Sequence, residues 1–112
     1  MKKLLLIFSV MTLSLYAEAT TYQTQLNIKK VHHGQTIFRT KLQRKCGFTA
    51  SYWAQQHTQD EWEELHENGV FKNELVTMCK RNVNNIIQDK WMESLYLFVV
   101  EYAKDTGRRP RC

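Results

Sequence analysis

Asp89-Lys90-Trp91-Met92-Glu93-Ser94-Leu95-Tyr96-Leu97-Phe98-Val99-Val100-Glu101-Tyr102 is the stretch on which the fold class turns. Trp91, Leu95, Phe98 and Tyr102 recur at spacings of four, three and four, which stacks them on one face of an α-helix. Leu97, Val99 and Val100 widen that stripe. Asp89 stands where an N-cap is expected, and Gly107 and Pro110 mark the stop.

Reading outward toward the N-terminus, the helical pattern repeats in shorter pieces. Residues 72–80 form a short helix presenting Leu75, Val76, Met78 and Cys79. Thr58-Gln59-Asp60-Glu61 is a capping box. The Thr58 hydroxyl accepts from the Glu61 backbone, the Glu61 carboxylate reaches back, and Asp60 and Glu61 suit the positive helix start. Trp62 and Leu65 form the inner face of that helix, and Asn68-Gly69 ends it. Gln88-Asp89-Lys90-Trp91 echoes Gln59-Asp60-Glu61-Trp62, which two helix starts of similar chemistry explain without a duplication. From Gly34 onward Ile37, Phe38, Leu42 and Cys46 recur at four to five, with Arg39, Lys41, Arg44 and Lys45 between them. That is a basic amphipathic helix. Gly47 interrupts it, and residues 48–56 continue as a second short piece with Tyr52 and Trp53.

Residues 20–30 alternate instead, with Tyr22, Thr24, Leu26 and Ile28 on one side of an extended strand. No second clear strand follows, so residues 20–33 are expected to be an extended arm packed on helices. One proline and four glycines leave little room for a many-turned β-fold. The expectation is a mainly α domain over residues 34–112, a bundle of four or five short helices with an extended N-terminal arm.

The N-terminus has the three parts of an export signal. Lys2 and Lys3 are the positive region, Leu4 to Tyr16 is an apolar run without a charge, and Ala17 and Ala19 are small residues at cleavage-compatible positions. The run is short of the roughly 20 residues a helix needs to cross a bilayer. Residues 1–19 therefore read as a cleaved signal peptide of a periplasmic or secreted protein without stable membrane insertion. About 93–95 residues follow the cleavage point, enough for one domain with a modest core.

All three cysteines, Cys46, Cys79 and Cys112, lie in that part, and an oxidising compartment favours a disulfide. Three pairings are open. Cys46–Cys79 is preferred, which leaves Cys112 free or available to pair between two molecules. Closing a loop of about 33 residues contributes roughly 3–4 kcal/mol by constraining the unfolded chain.

Charge is distributed in blocks. Residues 18–59 carry six basic and one acidic side chain, residues 60–78 carry six acidic and one basic, and residues 79–112 carry seven basic and four acidic. Such alternation suits helices that face one another with opposite signs, or a domain that docks a charged partner. Nucleic acid is a poor match, because the net charge is small and the destination is outside the cytoplasm.

Candidate catalytic chemistry is sparse. His32 and His33 are adjacent, His57 and His66 are nine apart, and neither spacing is one of a metal site. Cys46 beside Arg44 and Lys45, and Cys79 beside Lys80 and Arg81, sit in fields that favour a thiolate, but export points to a bridge. Glu61, Glu63, Glu64 and Glu67 read as the wet face of a helix, and the tryptophans as core. No Gly-x-Ser-x-Gly motif and no phosphate-cradling glycine loop occurs. Covalent haem needs Cys-x-x-Cys-His, and Cys46 is followed by Gly47-Phe48-Thr49-Ala50-Ser51.

The layout around Cys46 nevertheless resembles a small bacterial c-type cytochrome domain. Gly34-Gln35-Thr36-Ile37-Phe38 followed by Lys45-Cys46-Gly47 is similar to the start of such domains. His57-Thr58-Gln59-Asp60-Glu61-Trp62 is similar to a helix that often follows, and Asp89 to Gly107 to the C-terminal helix that packs on the first. More narrowly, Cys-Gly, His-Thr-Gln-x-Glu-Trp and the terminal Pro110-Arg111-Cys112 resemble small exported proteins of the Campylobacter–Helicobacter lineage. The resemblance spans Gly34 to Cys112. It implies three core helices plus short connecting ones, and a role in electron carriage or haem binding. Cys46 matches the first thiol of the family, whereas Thr49 and Ala50 stand where the second Cys and the axial His belong.

What the resemblance then implies is a cytochrome-c-like scaffold without covalent haem, with Cys46–Cys79 fastening the core instead. The expected function is that of an exported, non-enzymatic accessory or binding protein. It carries no cofactor and docks a periplasmic redox or electron-transfer protein. One alternative is a haem-binding electron-transfer protein, holding haem non-covalently or through Cys46 alone, with His57 or Met78 as ligands. Another is a thiol-redox protein using Cys46 and Cys79.

Overall fold

The computed structural model describes residues 25–111, which are mainly helical and contain no strand. The first element, α1, is helical over residues 25–37, passes through a π-helical turn at Phe38–Leu42 and closes as α-helix at Gln43–Cys46. Val31, Gly34, Phe38, Leu42 and Cys46 form its buried face, at spacings of three and four. The sequence stops there because Gly47 takes φ 85°, a left-handed conformation that glycine adopts without a Cβ penalty. The carbonyls of Lys45 and Cys46, left without helical partners, accept from the backbone N–H groups of Arg81 and Lys80, both at 3.3 Å.

Four further helices follow. Helix α2 (Ala50–Ala54) is capped by Thr49, whose hydroxyl accepts from the Tyr52 N–H at 3.1 Å. Helix α3 (Gln59–Glu67) opens on the expected capping box. The Glu61 N–H donates to the Thr58 hydroxyl at 3.2 Å, and the Thr58 N–H donates to the Glu61 carboxylate at 2.9 Å. Gly69, at φ 72°, turns the chain into α4 (Phe71–Met78). A 3₁₀ turn at Asp89–Trp91 leads into α5 (Met92–Glu101).

Two expectations are corrected here. Residues 25–33 are helical and form the start of α1, not an extended arm; residues 20–24 lie outside the described residues. The alternation ends once the face is followed past Ile28, which is 53% exposed, to Val31 and Gly34, which are buried. Lys30 fastens this segment to α5 by an ion pair with Glu93 at 2.7 Å. Asp89 does not cap α5. Its side chain is exposed and faces Lys72 at 3.6 Å, and the residue preceding the helix proper is Trp91. The expected signal peptide, residues 1–19, and Cys112 also lie outside the described residues. No helix among the described residues is long and apolar enough to cross a membrane.

The core lies where α1, α2 and α3 close on α5. Leu95, Phe98 and Val99 of α5 are fully buried. Helices α1 and α5 approach so closely at Gly34 that a Cβ there would lie 2.2 Å from the Ser94 carbonyl oxygen. Phe38 stacks on Trp53 at 5.0 Å, and Trp53 meets Trp62 edge-on at 5.9 Å. The Trp62 indole N–H donates to the Ala54 carbonyl at 2.9 Å, tying α3 to the end of α2.

Candidate functional site

Cys46 ends α1 and Cys79 follows α4, and their sulfur atoms lie 1.98 Å apart, at disulfide distance. The pair draws two basic segments together. Arg44 and Lys45 precede Cys46 and Lys80 and Arg81 follow Cys79, all four with exposed side chains. The Lys80 stem lies across Gly47, where a Cβ would meet it at 2.8 Å, so the absent side chain of Gly47 admits the lysine. Arg39 and Lys41, also exposed, extend the patch along the π-helical turn.

Among the described residues none of these six cations has an acidic partner within 4 Å, whereas Lys30, Lys72 and Arg108 each do. The acidic block sits elsewhere. Asp60, Glu63, Glu64 and Glu67 are exposed on α3 and likewise make no ion pair among the described residues. Among the described residues, these basic and acidic side chains thus do not neutralise one another as ion pairs.

Two recesses open beside the basic patch, between α1 and the start of α2. One, of about 510 Å³, is lined by Arg39, Gln43, Arg44, Gly47, Phe48 and Thr49. The other, of about 160 Å³, shares Arg39, Gln43 and Thr49 with it and reaches Gln35, Ser51 and Pro110. Sequence reading placed Arg39 and Arg44 on a basic amphipathic helix, with Arg44 beside Cys46, and assigned them no binding site. Their spacing of five, which a regular helix would set on different sides, is no signal of a shared recess until the turn between them is seen to widen.

The candidate haem ligands fall into other surroundings. His57, half-buried between α2 and α3, places Nε2 2.8 Å from a Glu74 carboxylate oxygen and Nδ1 3.8 Å from Glu61. Its ring stands edge-on to Trp62 at 4.6 Å. Both ring nitrogens therefore face carboxylates, and the imidazole acts as a tie between α3 and α4. Met78 ends α4 and packs on the rim of the core. Trp53 and Trp62 have no exposed surface and fill the space between α1 and α3. Both candidate ligands thus make contacts within the fold. No group of three or more metal-ligating side chains occurs among the described residues.

The chain matches no protein-family model, no curated protein and no solved structure.

Proposed function

We propose that the chain is an exported, non-enzymatic accessory protein on a cytochrome-c-like helical scaffold. It docks an acidic partner, a periplasmic electron-transfer protein by the resemblance, through its basic end. The observation that carries this reading is the set of six exposed cations around the Cys46–Cys79 pair, unpaired among the described residues. Holding like charges together at one end costs free energy, which an acidic surface brought against them offsets. Opposite surfaces also speed encounter and fix orientation, as a weak, fast-exchanging partner requires.

Carbodiimide cross-linking in a periplasmic extract, followed by peptide mapping, tests the proposal. Lys41, Lys45 and Lys80 are expected to join carboxylates of one electron-transfer protein. The yield should collapse at about 0.5 M salt, where the screening length falls to a few ångströms. Cross-links concentrated on Lys29, Lys90 or Lys104 would overturn it. So would a Soret band in the purified protein, which would return haem chemistry to the chain.

A further inference from the structure

We infer that the two recesses form one groove, built to take an extended acidic peptide segment whose carboxylates pair with Arg39 and Arg44. The inference deepens the docking reading and rests on it. Five residues along a regular α-helix turn through about 500°, leaving residues i and i+5 about 140° apart. In the π-helical turn the Gln43 N–H donates to the Phe38 carbonyl, a bond spanning five residues rather than four. The widened turn reduces that angle, and Arg39 and Arg44 both line one recess. Turns of this kind recur at functional sites, and here the turn serves to align two planar forks that suit carboxylate geometry.

The groove's length argues for a chain rather than a single ion. Its two parts share Arg39, Gln43 and Thr49 and extend from Gly47 to Pro110. At the far end the tail is held against α1 by the Gln35 side-chain amide, which donates to the Arg111 carbonyl at 2.7 Å. Arg109 and Arg111 are exposed there and make no ion pair among the described residues. Arg44 at one end and the arginines flanking Pro110 at the other thus bracket a shared middle made by Arg39, the Gln43 amide and the Thr49 side chain. A bilayer surface fits less well. Among the described residues the large exposed hydrophobics are Ile28, Tyr52 and Val70, scattered over different elements and forming no wedge to enter a membrane.

The test uses the oxidised full-length mature protein and a fluorescein-labelled peptide of alternating Glu and Gly, with fluorescence anisotropy at low salt. Arg39→Lys with Arg44→Lys keeps the charge and removes the forks, and is expected to weaken binding about tenfold. Lys41→Gln with Lys45→Gln removes two charges outside the groove, and is expected to weaken it only about two- to threefold. If the Lys pair matters as much as the Arg pair, or the Arg→Lys protein binds like the parent, the groove is overturned and the general basic docking surface survives. If the parent binds no peptide, both readings fall. Tighter binding to vesicles of anionic lipid than to the peptide would also overturn the groove. Circular dichroism and an intact Cys46–Cys79 bridge confirm that each variant is folded.

Discussion

Trp53 and Trp62 lie 5.9 Å apart in the same core, both without exposed surface, yet differ in one bond. The Trp62 N–H reaches the Ala54 carbonyl, whereas the Trp53 N–H is buried with no partner among the described residues. A buried unsatisfied donor carries a penalty of about 1–3 kcal/mol, and a satisfied one contributes about 1 kcal/mol. Trp→Phe removes the same volume at both sites, so the cavity contributions largely cancel in the comparison. Trp62→Phe is therefore expected to destabilise by about 2 kcal/mol more than Trp53→Phe, measured as urea midpoints at equal slope. Equal losses, or a larger loss at Trp53, would mean that the Trp53 N–H has an energetic partner after all. That both indoles are core was legible in the sequence, because each sits on the apolar stripe of its helix. Which one is satisfied was not, because the Ala54 carbonyl becomes available only through the way α2 ends against α3.

Among the elements, α3 is the one whose start the sequence specified most completely. Thr58 and Glu61 satisfy each other's backbone donors as the Thr-x-x-Glu spacing requires. The Thr58 backbone N–H, and then its hydroxyl, stabilise the ionised Glu61 and hold its pKa below the ordinary 4.5. A carboxyl whose pKa is depressed on folding adds stability above its unfolded value, and loses it as pH falls through the folded one. Thr58→Ala is expected to cost about 1 kcal/mol at neutral pH. Because it removes the hydroxyl and keeps the backbone N–H, it should flatten the decline in melting temperature below pH 4.5 only in part. A limb as steep as the parent's would show that the hydroxyl adds nothing to the backbone bond, and a fully flat one that the backbone bond needs the cap. The start of α1 was not legible in the same way. Tyr22, Thr24, Leu26 and Ile28 satisfy a period of two, and Lys29 to His33 supply one apolar residue, Val31, to contradict it. Packing decides instead. Gly34 sits against Ser94 and Lys30 reaches Glu93, contacts between residues some 60 apart that no local window contains. The π-helical turn escaped for a related reason. Phe38, Leu42 and Cys46 keep steps of four straight through the widened turn, so the apolar spacing carries no mark of it, and with it went the juxtaposition of Arg39 and Arg44.

On the scale of the whole molecule, the sequence announced blocks of charge but not their arrangement, since facing helices and separate surfaces share the same counts. The Cys46–Cys79 pair separates the two cases by holding Arg44 and Lys45 beside Lys80 and Arg81. It closes a loop across 33 residues, and its removal in a Cys46→Ser, Cys79→Ser protein is expected to cost roughly 3–4 kcal/mol through the freed unfolded chain. Salt gives that prediction a second readout. In the bridged protein the four cations stay close even after unfolding, so their repulsion largely cancels between folded and unfolded states. Without the bridge, unfolding lets them separate and their repulsion becomes a cost of folding alone. Added salt screens such repulsion, the screening length being about 10 Å at 0.1 M. The serine protein should therefore gain stability with salt more steeply than the bridged parent, as followed by urea midpoints across a salt series. Parallel curves would mean that the basic segments do not repel one another appreciably when folded. The free-energy argument for an anionic partner at this end would then lose its basis.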